Sequence, residues 1–130
     1  MVCLETSFLI DLLRGIEHAV KRMNDLEQTS ESITITAPSI VELATGAALA
    51  QSPRERELLQ ELISTVSVLT LDKESALLAG EVNAKLINEG QQIGAFDILI
   101  GCIAVANNEI LLTRNLKHFE QIPGLRVEKY

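Results

Sequence analysis

The segment Ile93-Gly94-Ala95-Phe96-Asp97-Ile98-Leu99-Ile100-Gly101-Cys102-Ile103-Ala104-Val105-Ala106 holds one charged side chain among fourteen residues, and that one is an aspartate. So apolar a stretch predicts a helix against the core, because exposing it would forfeit much of the hydrophobic stabilisation. A carboxylate carried into such surroundings is costly unless a cation, hydrogen bonds or a proton compensates it. Glu5 in Val2-Cys3-Leu4-Glu5 and Glu42 in Ile40-Val41-Glu42-Leu43 are in the same position. One shared cation accounts for three such acids better than three separate compensations.

Around these acids, β-like and helical segments alternate. Val2–Leu4 reads as a buried strand, followed by a helix capped by Thr6 or Ser7 and ended by Gly15. A helix over 17–28 leads to a β-branched strand at 32–36. Ala37-Pro38 opens a helix to about Leu49, and Ser52-Pro53 opens another with an apolar stripe at Leu58, Leu59, Leu62, Ile63 and Val66. A third strand over 66–71 precedes a helix that Asp72 caps and Gly90 closes. The Asp97 helix, a strand at 109–113, a short helix from Asn115 to Gln121, a Pro123-Gly124 turn and a strand at 125–128 complete the chain. Such alternation predicts an α/β fold, a parallel sheet of four to five strands with helices on both faces, in one domain over 1–130.

The composition narrows the function. With 47% hydrophobic residues a chain of 130 residues can build a core, and disorder is excluded. No apolar run reaches the roughly 20 residues of a membrane helix, and no basic leader segment precedes the first strand. Cys3 and Cys102 lie in apolar segments and are expected as buried free thiols, consistent with the cytoplasm. A net charge of −7 argues against broad polyanion binding, so a nucleic-acid substrate needs a local basic rim or bound cations. With no Trp and one Tyr, the composition argues against a base-stacking platform.

In open α/β sheets ligands bind at the carboxyl ends of the strands. Glu5 ends strand one, Glu42 follows strand two, Asp97 starts its helix, and Asn115 comes two residues after the fourth strand. All four fall at one sheet edge. An all-oxygen set without nearby His or Cys selects Mg²⁺ or Mn²⁺ over zinc and suits phosphodiester hydrolysis. Taken singly, Glu42 reads as an exposed helix residue, Glu5 as an acid favoured by a helix dipole and Asp97 as a capping group. Thr6 and Thr113 are cap or strand-end residues that could support the site. Of the basic residues considered for its rim, Arg14, Lys85, Arg114 and Lys117, only Arg114 and Lys117 are placed by flanking Asn115. Asp11 is expected to pair with Arg14 in solvent, and His18 and His118 to be surface or packing residues.

Four ordered blocks, Leu4–Gly15, Ser39–Gly46, Ile93–Ile100 and Leu112–Phe119, together with the ending Ile122–Glu128, resemble the motifs of PIN-domain ribonucleases of the VapC toxin kind. The resemblance implies a three-layer PIN sandwich, Mg²⁺- or Mn²⁺-dependent endonuclease action on RNA, a homodimer and inhibition by a VapB-type antitoxin. By motif position Glu5, Glu42 and Asp97 take the metal-ligand roles, and Asn115 the fourth catalytic position. Glu5 stands where the family usually has Asp, and its extra methylene moves the carboxylate by about 1.5 Å. Two other functions compete. A PIN module acting by RNA or partner binding would carry Glu5 as a mark of weakened chemistry. A phosphoryl-accepting receiver domain would need its acceptor Asp at a strand end, whereas Asp97 lies in a helical run.

Overall fold

The computed structural model describes residues 1–130. Five short strands, β1 (Val2–Leu4), β2 (Ile33–Thr36), β3 (Ser67–Leu69), β4 (Ile110–Leu112) and β5 (Arg126–Glu128), form one sheet in the order β3-β2-β1-β4-β5. Every pairing is parallel. The chain thus starts in the middle of the sheet, winds outward through β2 and β3, then reverses and winds outward through β4 and β5. Between β1 and β4 the connections diverge, which opens a crevice at their carboxyl ends.

Strand alternation divides the core into two layers. Val2, Leu4, Ile35 and Leu112 point into a cluster with Phe8 and Leu9 of α1 (Thr6–Leu13), Met23 and Leu26 of α2 (Glu17–Glu27), Leu43 of α3 (Ala37–Ala50) and Leu59 of α4 (Pro53–Thr65). Cys3 and Leu111 point the other way, towards α5 (Lys73–Asn88), α6 (Ala95–Ala106) and α7 (Leu116–Phe119). Both cysteines are buried and free, and burial pushes their thiols up to about 12 for Cys3 and about 11 for Cys102.

Local signals set the element ends. Thr36 caps α3, Ser52 caps α4, and Asp72 with Ser75 forms a reciprocal capping box on α5. Gly15 and Gly90 follow α1 and α5 at φ of +73° and +69°, conformations that glycine adopts without Cβ strain. One expectation changes: α1 is capped by Glu5, whose carboxylate accepts from the Ser7 amide, and not by Thr6 or Ser7. The strand end leaves Glu5 extended (φ −80°, ψ 159°), and its longer side chain folds back over the first turn. The apolar 93–106 segment is also only partly interior. Ile98 and Ile100–Ala104 are buried, whereas Phe96 is 42% exposed and Asp97 lies at the surface of the crevice. At Gly101 a Cβ would collide with Ile122 Cδ1, so α6 sits hard against the turn before β5.

Candidate active site

β1 delivers Glu5 to the mouth of the crevice, where it is 2% exposed. All its hydrogen bonds fall on Oε2: the Ser7 amide donates at 3.0 Å, Thr113 Oγ1 donates at 2.7 Å, and the Ser7 hydroxyl also donates. Burial pushes the Glu5 carboxyl above its ordinary range; these bonds oppose the shift and the Asp97 charge adds to it. Glu5 and Asp97, 92 positions apart, are therefore close enough to repel.

Glu42 arrives from α3, one and a half turns past the cap. Its Oε1 accepts from Thr6 Oγ1 at 2.7 Å, and Thr6 Oγ1 lies 2.9 Å from Ser39 Oγ. Asp97 arrives from the first turn of α6, on the opposite face of the sheet. The two helices meet beyond the ends of the strands. Asn115 occupies the N-cap position of α7 but makes no side-chain cap bond, so its amide is free. Its backbone is fixed instead, since its N–H donates to Thr113 Oγ1 at 3.0 Å and the Arg114 N–H donates to Ser7 Oγ at 3.2 Å. Ser7 and Thr113 thus tie the start of α1 to the loop after β4.

Two expectations are corrected here. Asp11 is not a solvated partner of Arg14: it is 5% exposed, its Oδ1 takes Arg114 Nη1 at 2.7 Å, and its Oδ2 takes the Tyr130 hydroxyl at 2.5 Å. A helical spacing of three favoured Arg14, but the inward face of α1 carries Asp11 towards β4 and β5. Arg114, expected at the rim, therefore has its charge matched by a buried carboxylate. His118 is not merely a surface or packing residue either, because its Nδ1 lies 3.0 Å from Asp97 Oδ2. The sequence offered only the three-residue spacing of Asn115 and His118; the contact with Asp97 itself depends on how α6 and α7 pack. His18 stacks on Tyr130, as a packing role predicts. Lys117 lies at the crevice rim, whereas Lys85 pairs with Glu89 along α5 and Arg14 lines a separate apolar cleft between α1, α3 and α4.

Each of the three acids spends one oxygen on a protein donor and leaves the other without one: Glu5 Oε1, Glu42 Oε2 and Asp97 Oδ1. None of these is a buried orphan; the chain's one buried side-chain oxygen without a partner is Glu109 Oε2. Three free carboxylate oxygens at one crevice, with Glu5 and Asp97 repelling, fit a hard divalent cation in donor chemistry. No three acidic, His or Cys side chains close around one point, so holding an ion requires the free oxygens of these carboxylates to draw closer together.

Such a fold, with its acids at the switch point of a 3-2-1-4-5 sheet, defines a class. The PIN-domain family model matches residues 2–125, and the chain belongs to that family. Among its relatives, the tRNA(fMet)-specific endonuclease VapC of Salmonella typhimurium is 30% identical over 115 residues, covering 88% of this chain and 85% of that protein. Ribonuclease VapC2 of Rickettsia felis is 30% identical over 117 residues, covering 88% of this chain and 87% of its own length. Among solved structures, DNA-bound VapBC from Salmonella typhimurium superposes with a TM-score of 0.88 at 31% identity, over 99% of this chain and 98% of that one. No helix is long and apolar enough to cross a membrane.

Proposed function

We propose that this chain is a metal-dependent endoribonuclease, the toxin of a VapBC-type toxin–antitoxin pair, acting in the cytoplasm as a homodimer that a VapB-type antitoxin restrains. What supports the reading is that β1, α3 and α6 bring Glu5, Glu42 and Asp97 to the carboxyl edge of the sheet, each with one oxygen that takes no protein hydrogen bond. The names of the relatives support the substrate class, and the paired toxin and antitoxin in the neighbouring structure supports the partner.

In this reading Glu5, Glu42 and Asp97 hold Mg²⁺ or Mn²⁺, with Asn115 beside them. A divalent ion held there would supply Lewis acidity and positive charge opposite the phosphate. The chain's own residues do the positioning. Ser7 and Thr113 fix the Glu5 carboxylate by one oxygen so that the other faces the crevice. Thr6 does the same for Glu42, and His118 for Asp97. The Asn115 amide, uncommitted to its helix, is placed to donate to a phosphate oxygen, an interaction that grows stronger as charge builds there.

The test is cleavage of a mixed RNA pool in Mg²⁺, Mn²⁺ or EDTA, with Asp97→Asn alongside. Cutting that needs the metal and disappears in the variant supports the reading; cutting by both proteins, or by neither, rejects it. Glu5 gives a second reading a foothold, since it is also the cap of α1. If Glu5→Asp cuts faster than the native chain, the extra methylene has slowed the chemistry; if it cuts more slowly, the cap and the ligand are matched to glutamate.

A further inference from the structure

Parallel pairing of β4 with β5 sets Leu112 opposite Glu128, so the next residues, Thr113 and Lys129, leave the sheet side by side. The Thr113 N–H donates to the Glu128 carbonyl at 3.0 Å and holds that register to the end. Beyond it lies a cavity of about 500 Å³ walled by Arg114, Asn115, Lys117, His118, Glu120 and Lys129. It adjoins the crevice through His118, whose Nδ1 lies 3.0 Å from Asp97 Oδ2.

The charge of this wall runs against the charge of the chain. In a protein of net charge −7, three of eleven Lys and Arg residues and one of two His residues line one cavity, with one acid, Glu120, among them. Arg114 is matched by Asp11. Lys117 and Lys129 make no ion pair, as is also true of Arg14, Arg54, Arg56, Lys73 and Arg126; what sets these two apart is that they line one cavity together. Two uncompensated ammonium groups on a wet, concave, largely polar wall suit a phosphodiester: strongly hydrated point charges need no fixed geometry to hold a phosphate on a mobile strand.

We propose that this cavity seats a phosphate of the RNA strand adjacent to the scissile one, held by Lys117 and Lys129. The inference rests on the endoribonuclease reading above and extends it to a second point of contact with the substrate. It also accounts for how an acidic protein grips a polyanion: the catalytic crevice is negative, and the attraction comes from a neighbouring pocket.

The experiment compares native protein, the Lys117→Gln/Lys129→Gln variant and a charge-matched control, Lys21→Gln/Arg126→Gln, whose residues lie on α2 and at the opposite end of β5. On a single-stranded RNA of about a dozen nucleotides, KM for the first variant should rise roughly tenfold at 0.1 M salt, with kcat kept. The slope of log affinity against log salt should fall by about 0.7, the share of the one phosphate that the two ammonium groups no longer neutralise. Affinity is read on an Asp97→Asn background so that the strand stays whole. A dinucleotide, whose single phosphate is the scissile one, should be cut equally by native and variant protein. An unchanged KM and salt slope on the longer RNA, or an equal loss from the control, overturns the assignment. Equal losses on both substrates would place the lysines on the scissile phosphate and overturn it too. If native protein cuts no RNA in any metal, the endoribonuclease reading fails and takes the inference with it, a result distinct from native cutting that the lysines do not affect.

Discussion

Two buried carboxylates stand at opposite ends of the paired strands β1 and β4. Glu5, at the carboxyl end, is 2% exposed, and Oε2 receives three donors while Oε1 faces a crevice shared with other acids. Glu109, at the amino end, is 4% exposed, with Oε2 buried and unpartnered. Burial pushes both carboxyls up; the N-terminal ammonium opposes the shift at Glu109, as the hydroxyl and amide donors do at Glu5. Burial of an acid is thus common to both ends and does not distinguish them. What distinguishes the carboxyl end is the company: a second and third acid, each with a spare oxygen, and an uncommitted amide. The switch point of the sheet gathers these from segments far apart in sequence, and the other end has no equivalent opening.

The largest expected effect tests that asymmetry in activity. Asp97→Asn should lower RNA cleavage by about 10²–10³-fold or more, while Glu109→Gln leaves it unchanged; initial rates on one RNA decide it. A loss at Glu109 equal to that at Asp97 would erase the distinction between the two ends.

Metal should respond in the same way. Saturating Mn²⁺ at about a hundred times its dissociation constant should stabilise native protein by about 2.7 kcal/mol. Thermal melts should show an equal shift for Glu109→Gln and a much smaller one for Asp97→Asn. An unchanged midpoint in the native chain would reject the crevice as a cation site.

A smaller effect concerns stability and pH. The folded-state value of Glu109 is raised above its ordinary 4.5, so folding favours its protonated form. The stability linked to this group is complete below about pH 4.5 and is lost as pH climbs through the raised value. Glu109→Gln removes that loss, while its amide still leaves one polar atom without a partner at the same place. It should gain about 1 kcal/mol at neutral pH, read as roughly 4 °C in Tm, and the gain should vanish in acid. Glu5→Gln should gain less, because its oxygen already has three donors.

The smallest is at Tyr130, whose hydroxyl donates to Asp11 and whose ring meets Phe8 edge-on at 4.6 Å. Tyr130→Phe keeps the ring and loses the bond, at a cost of about 1 kcal/mol by denaturant melt, with cleavage little changed.

Much of this is legible in the sequence because it depends on local pattern. The order of strands and helices follows from periodicity and from caps such as Thr36, Ser52 and Asp72, and the expectation of Glu5, Glu42, Asp97 and Asn115 at the carboxyl edge of the sheet rests on the rule for parallel sheets. What stays hidden depends on which way a side chain turns within a helix. Asp11 sits three residues from Arg14 but faces inward, towards Arg114, 103 positions away. Local spacing cannot weigh a partner brought by the sheet. His118 has no ligand spacing along the chain, although its relation to Asn115 is local; its contact with Asp97 needs α6 and α7 to be placed together. Glu109 shows the reverse case, an acid in an apolar setting that a rule based on burial alone would count as functional.

The winding order has a consequence for the newborn chain. The segment through β3 can already pair β2 with β1 and β3, and it carries Glu5 and Glu42; Asp97 and Asn115 come only with the later half, whose β4 must find the still open edge of β1. That closure joins residues more than a hundred positions apart, a contact slow to form in any chain. A partly made or partly folded molecule therefore holds half of the acidic crevice and neither lysine of the neighbouring cavity. The acidic crevice and the cavity beside it are both completed only when the two halves of the chain have met.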